Sequence, residues 1–201
     1  MIHDQRARCR APRTREDKDM TQETWKIDGT HSGIHFSVRH MVIAKVRGQF
    51  SRWQGTLFVP DGDFRRATVD VTIDAASIDT GVADRDKHLR SADFFDVETY
   101  PEIAFKSRQV EDLGGDTLRL VGELTMHGVT REATLEVESA GQAKDPWGNT
   151  RAGFAARGSV DRKDFGLTWN QALEAGGVLV GEKVEIEIEV EAVLQAQEEV
   201  A

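Results

Sequence analysis

The side chains in this 201-residue chain that most readily hold metals or move protons are six histidines, and one cysteine adds a thiol. Three histidines crowd into Thr30-His31-Ser32-Gly33-Ile34-His35-Phe36-Ser37-Val38-Arg39-His40, which invites a metal-site reading. On one straight strand His31 and His35 would share a face but stand about 13 Å apart, at ~3.3 Å per residue. A zinc ion takes imidazole nitrogens at about 2.0–2.1 Å and cannot span that gap. His40 has the opposite parity to His35. The spacing therefore favours polar strand-face or hydrogen-bonded turn histidines over a metal centre. A single cysteine, Cys9, excludes an intramolecular disulfide and any multi-cysteine metal site.

Other catalytic signatures are absent. No G-x-S-x-G elbow, Walker loop or G-x-G-x-x-G between strand and helix occurs. Asp84 and Asp86 are paired carboxylates within a charged stretch and need no catalytic explanation. The aromatic set is more informative. Nine Phe and four Trp stand against one Tyr, so the aromatic surface is mainly apolar. Phe94 and Phe95 are adjacent, and Phe165 and Trp169 bracket a Gly-Leu-Thr turn. By themselves these residues read first as an aromatic core.

The elements that must position them have a period of two. In Lys183–Leu194 (KVEIEIEVEAVL), Val184, Ile186, Ile188, Val190, Ala192 and Leu194 alternate with Lys183 and four glutamates. Side chains on a strand alternate faces, so this is a strand with one buried and one wet face. The glutamate row is a solvated face that also discourages edge pairing. The same alternation recurs at Ile34/Phe36/Val38, Val69/Val71/Ile73, Ile103/Phe105, Leu118/Leu120/Leu124/Met126, Ala133/Leu135/Val137 and Phe154/Val160. With a strand from about Val46 to Val59, eight strands are expected. Turn chemistry at Pro60-Asp61-Gly62-Asp63, Leu113-Gly114-Gly115-Asp116, His127-Gly128 and Asp145-Pro146-Trp147-Gly148-Asn149 separates them. Short connections predict antiparallel neighbours. Only Asp84–Phe95 (DRDKHLRSADFF) breaks the period, and it predicts a short helix near residues 84–92. Eight amphipathic strands and one helix make an all-β fold, either a sandwich or a closed barrel.

Composition bounds the partners. Twenty-six basic residues against 35 acidic ones give a formal charge of −9, which disfavours nucleic acid and anionic membrane. No apolar run approaches the ~18 residues of a membrane-spanning helix. Residues 1–20 hold five Arg and one Lys with almost no apolar surface, and read as a disordered basic tail with Met20 a candidate translation start. They lack the apolar stretch of ~7–15 residues that a secretory signal needs, so the expected compartment is the cytoplasm. The body is one domain over residues 21–196, followed by a C-terminal tail at 197–201.

Four ordered segments resemble the YceI-like family. They are Trp25-Lys26-Ile27-Asp28 with His31-Ser32 and Phe36-Ser37-Val38-Arg39-His40-Met41; His88 to Val97 with Tyr100-Pro101 and Phe105; Gly122 to Thr130; and Asp164-Phe165-Gly166-Leu167-Thr168-Trp169. The resemblance implies an extended, eight-stranded antiparallel barrel of lipocalin-like shape with a short helix at one side and a long apolar cavity. It implies binding, storage or transport of a long-chain amphiphile, such as a polyprenyl pyrophosphate, an isoprenoid quinone or a fatty amide. It brings no catalytic residue, no metal and no cofactor beyond such a lipid. Many family members carry a secretory signal, so the expected compartment is a departure.

Combined with strand parity, the resemblance makes Phe36, Val38, Phe105, Leu124 and Phe154 wall residues of the cavity, with Phe94 and Phe95 beside them. His40 shares the parity of Phe36 and Val38 near a strand end. The candidate ligand-binding set is these eight residues and Trp169. Two alternatives stay open: an enzyme acting on an isoprenoid lipid, and a protein-interaction barrel with a filled core. The sequence leaves monomer against homodimer undecided.

Overall fold

The computed structural model of the chain describes residues 21–41, 43–173 and 177–196. The tails read from the sequence at 1–20 and 197–201 lie outside the described residues. Eleven strands form: β1 (Gln22–Ile27), β2 (Gly33–His40), β3 (Ala44–Phe50), β4 (Trp53–Pro60), β5 (Thr68–Asp74), β6 (Ile78–Asp79), β7 (Glu102–Gly114), β8 (Thr117–Met126), β9 (Val129–Lys144), β10 (Thr150–Asp161) and β11 (Val180–Leu194). One helix, α1 (Ala83–Arg90), lies between β6 and β7. Every strand pairing is antiparallel.

The ring β1-β4-β5-β7-β8-β9-β10-β11 closes through β1–β11, giving an eight-stranded barrel. The other three strands extend it. Along one edge of β11, Ala192–Leu194 pair with β1 and Val180–Glu189 pair with β2. Thus β1 and β2 are successive halves of one line, broken at residues 28–32. In the same way β3 and β4 break at Ser51-Arg52, and β5 and β6 at the 3-10 turn Ala75–Ser77. Eight lines of strand result, as expected. The strand expected from about Val46 to Val59 is two.

Each break changes parity. Trp25 and Ile27 have odd numbers, whereas Ile34, Phe36 and Val38 have even ones; all but Trp25 line one interior cavity. Phe50 and Trp53 flank the second break and line it as well. An odd number of positions could not bring these two onto one side if the strand ran straight. The breaks stay within the hydrogen-bond network: Asp28 N donates to the Glu191 carbonyl at 2.8 Å, and Glu191 N donates to Ser32 Oγ at 2.8 Å.

Helix α1 is held by its charges. Arg90 donates to the Ala76 and Ile78 carbonyls at 2.8 and 2.7 Å. Buried Asp86 accepts from Thr80 N at 2.9 Å and Thr80 Oγ1 at 2.5 Å, and Arg85 donates to the same threonine. Acids in its first turn and bases in its last complement the helix dipole. Leu89 and the following Phe94, Phe95 and Val97 pack in the barrel's largest apolar cluster, around Ile73, Ile103, Phe165 and Leu167. A second cluster, around Trp25, Leu57, Val59, Ala152 and Ala192, fills the far end of β11.

Candidate ligand cavity

The strand pattern leaves the inward faces apolar, and at their centre lies a cavity of about 280 Å³. It follows β11 through Val184, Ile186, Ile188 and Val190, a run of about 20 Å at ~3.3 Å per residue. Ile103, Phe105 and Val110 of β7 and Leu118, Leu120 and Leu124 of β8 contribute the opposite wall. In β7 the inward series skips from Phe105 to Val110 across a register shift between Ser107 and Gln109. Among the lining residues only His35 and Arg162 carry ionisable side chains.

Seven of the nine residues singled out in the sequence line this cavity: Phe36, Val38, Phe94, Phe95, Phe105, Leu124 and Phe154. The other two stand elsewhere. His40 is half-buried at the end of β2, paired with Ala44 and Val180, and Trp169 is half-buried behind the wall. Trp169 touches Phe94 with ring centroids 5.2 Å apart and meets His88 edge-on at 4.7 Å. His88 in turn meets Phe94 at 5.1 Å and bonds Asp93 through Nε2 at 2.9 Å. A second aromatic chain, Phe36–Phe50–Phe95, links β2 and β3 to the segment after α1 with centroids 5.7 and 6.0 Å apart, within the ordinary range for ring pairs.

Two glycines make room for wall aromatics. A Cβ on Gly48 would lie 2.4 Å from Phe36 Cζ, and one on Gly122 would lie 2.6 Å from Phe105 Cζ and 2.5 Å from the Lys106 carbonyl oxygen. At both positions a side chain would displace the ring from the neighbouring strand. Nothing in the period-two pattern announced this role, because a glycine adds no hydrophobic signal.

One end of the cavity is closed by aromatics. Phe64 stands 5.2 Å from Trp25 and 5.1 Å from Phe154, and Trp25 is 1% exposed. Outside this plug sits an ionic group. Arg151 Nη1 donates to Asp28 Oδ2 at 2.9 Å and to Glu191, and its Nε donates to Asp145 Oδ2 at 2.8 Å. His31 Nδ1 lies 2.9 Å from Asp28 Oδ2. The hydrogen bonds from His31 and Arg151 hold the Asp28 carboxyl far below its ordinary value, and those from Arg151 and Asn149 lower Asp145 to about 2. Ligand atoms of Asp28, His31 and Glu191 come within 4.8 Å of one another, close enough for a shared cation. Arg151 already supplies the positive charge there. His31 thus serves a turn and an ion cluster, and is separate from His35 on β2.

Arg162 was not among the candidate residues. It lies at the other end of β11, is 4% exposed, and lines the cavity. Burial pushes its guanidinium pKa down, against the opposing influence of Glu182 and Asp161. A signal did exist: Phe154, Ala156 and Val160 are the even-numbered inward residues of β10, and two further steps reach Arg162.

These features define an antiparallel β-barrel built around an apolar cavity. A family model described as a YceI-like domain matches residues 25–192, and the chain belongs to that family. Protein YceI of Escherichia coli O17:K52:H18 is 42% identical over 145 residues, covering 71% of this chain and 75% of that protein. Among solved structures, Burkholderia cenocepacia BcnA shares the fold with a TM-score of 0.72 at 21% identity, covering 82% of this chain and 98% of that one. A domain of Saccharophagus degradans, described as polyisoprenoid binding and implicated in plant cell wall breakdown, matches with a TM-score of 0.60 at 16% identity, over 85% and 98% of the two chains.

Proposed function

We propose that this protein binds one long-chain apolar or amphiphilic molecule of the isoprenoid class in its barrel, as a carrier or store. The observation that carries this reading is the cavity itself. It is continuous along β11, walled by aliphatic and aromatic side chains, and about 280 Å³ in volume, near the lower end of the ~300–1,000 Å³ of small-molecule sites. A hydrocarbon chain has no polar groups to satisfy, so its burial is driven by area, at about 25 cal/mol per Å². Such walls suit it, and a sugar or nucleotide would find almost no hydrogen-bonding groups there.

The description of the Saccharophagus degradans domain as polyisoprenoid binding supports the ligand class. Polyprenyl pyrophosphates and isoprenoid quinones are the specific candidates. A non-catalytic role is favoured because no Ser, Cys, Asp or Glu is among the described residues that line the cavity, and nucleophilic or carboxylate catalysis draws on those groups. No helix among the described residues is long and apolar enough to cross a membrane. Native mass spectrometry of the purified protein, followed by solvent extraction, tests the reading. An isoprenoid lipid bound at about one per chain is expected; a protein that retains and takes up no lipid would reject it.

A further inference from the structure

Six large apolar side chains stand exposed among the described residues, and three of them belong to one place. Met41 and Ile43 lie in the turn between β2 and β3, with Ile43 84% exposed, and Val178 lies in the loop that enters β11. Met41 N donates to the Leu179 carbonyl at 2.9 Å, which sets turn and loop side by side. The adjoining pair, His40 with Val180, reaches the cavity, because Val180 lines it. An exposed apolar lip therefore stands one residue pair beyond the cavity wall. The turn itself does not call for these residues. Met41 has a φ of 52°, and hairpin turns with positive φ favour Gly, Asn or Asp. Apolar side chains grouped at a surface in this way mark contact with another apolar body.

Charge indicates which body. Residues 29–60 hold four basic residues, Arg39, Lys45, Arg47 and Arg52, and no acid, in a chain with 35 acids. Three of the four flank the tip. On the β2–β3 ladder Arg39 stands opposite Lys45, and Arg47 opposite Ser37, so the three cations share the outer face. Like charges placed opposite each other disfavour pairing. Glu185 of β11 pairs with Lys45 at 2.5 Å and matches one of the three, while Glu182 is taken by Lys163. The far end of the barrel carries Asp28, Asp145 and Glu191 instead. The chain's negative total acts weakly at the tip, because exposed charges more than about 8–10 Å away are largely screened.

We infer that the β2–β3 turn and the Val178 loop form a membrane-docking lip, which sets the Val180 end of the barrel against a bilayer bearing anionic head groups. Apolar side chains of such a lip enter the boundary between head groups and acyl chains, and its cations stay at head-group level. A bilayer is also the phase that holds long-chain isoprenoids. Uptake or delivery of a lipid across the lip rests on the lipid-binding reading above; the docking does not.

Co-sedimentation of the full-length protein with phosphatidylcholine vesicles, with and without about one-third phosphatidylglycerol, tests it. The wild type should bind the anionic vesicles and release them as salt is raised. Ile43→Ser should weaken binding at least about ten-fold, the contribution of one buried aliphatic side chain. Arg47→Gln should weaken it about five-fold, that of one cation at an anionic surface. Trp147→Ser, at a nearly as exposed residue beside Asp145 at the acidic end, should change nothing. The basic residues 1–20 are common to every protein compared, so the differences report the lip. Native mass spectrometry of the same samples reads the cavity separately. No vesicle binding by the wild type, wild-type affinity in both Ile43→Ser and Arg47→Gln, or a dimer that Ile43→Ser dissolves in place of vesicle binding would overturn the lip, whether or not lipid fills the barrel. Weakened vesicle binding in both variants would uphold it even in a protein that holds no lipid.

Discussion

The two ends of the barrel each use an arginine, in opposite ways. At one end Arg151 is surrounded by the carboxylates of Asp28, Asp145 and Glu191, and the hydrogen bonds it makes to them raise its pKa. It joins the turn between β1 and β2, the β9–β10 hairpin and β11, outside a closed aromatic plug. At the other end Arg162 is more deeply buried, bonds only carbonyls, and lines the cavity. The first charge is fully matched and serves as a strut. The second is held by four backbone carbonyls and makes no ion pair among the described residues. The difference teaches that residue type alone does not fix a role; carboxylate partners make one arginine an ionic strut, and carbonyl partners make the other a tie between backbone segments.

The largest effect should come from opening the closed end. Trp25→Ala removes the largest of the fully buried side chains, from a position 1% exposed, together with its ring contact to Phe64. Such truncations cost about 3–5 kcal/mol. Urea unfolding should show that loss, and bound lipid should become easier to extract because the plug no longer seals the barrel. A loss under about 1 kcal/mol would mean that this end is not the packed one.

An insertion on the Arg162 half of the barrel should do the reverse. Val38 lines the cavity and is paired with Val184, another lining residue, on the half of β11 nearer Arg162. In a solid core Val38→Trp would overpack, at about 1–3 kcal/mol. With space to enter, the indole should cost less than that and instead shorten or block the bound chain. Paired measurements of melting temperature and bound-lipid mass decide between the two. A large drop in melting temperature in a protein that never held lipid would make this half an ordinary core and remove the contrast between the ends.

The same contrast explains what could be read in advance. Strands were legible because burial on one face forces period-two alternation, their antiparallel order because the connections are short, and a helix near residues 84–92 because that stretch alone interrupts the alternation; that the inward face, with Phe94 and Phe95, lines a cavity came from the family resemblance. Three features were not. The mid-strand breaks at residues 28–32, Ser51-Arg52 and Ala75–Ser77 show only as a switch of apolar parity, as from Ile27 to Ile34, which reads equally as the end of one strand and the start of another. The openings beneath Phe36 and Phe105 depend on Gly48 and Gly122 of neighbouring strands. The ionic cluster joins Asp28 to Arg151 across 123 positions of sequence, so local spacing could not reveal it. Arg162 was legible in principle from β10 parity, but its place in the charged turn Asp161-Arg162-Lys163-Asp164 made it look solvated. His40 keeps the parity of Phe36 and Val38 to the end of β2 but is not among the cavity-lining residues, although its strand partner Val180 is.

The smallest expected effect concerns pH at the Arg151 end. Asp145 titrates at about 2 in the folded protein against an ordinary 3.8, and Asp28 is lowered in the same direction. A folded-state pKa below the unfolded one means that the folded protein releases the proton more readily. The resulting stabilisation is fully present above about pH 4, and it is lost as pH falls through the folded values. Because the cluster is partly exposed and screened by solvent, its effect should be well below that of Trp25→Ala. Urea midpoints at about pH 5 and about pH 2.5 should therefore differ more in the wild type than in Arg151→Gln. The Gln side chain lacks the charge that is the first cause of the lowered pKa at Asp145 and the second, after His31, at Asp28, so the Asp145 pKa should return toward its ordinary value, that of Asp28 should follow in part, and the pH-dependent component should shrink. Arg162→Gln should leave this difference unchanged, since no carboxylate among the described residues pairs with Arg162. If wild type and Arg151→Gln lost the same stability over this interval, the acids of that cluster would owe their low pKa values to something other than Arg151, and the matched end of the barrel would lose its matching charge.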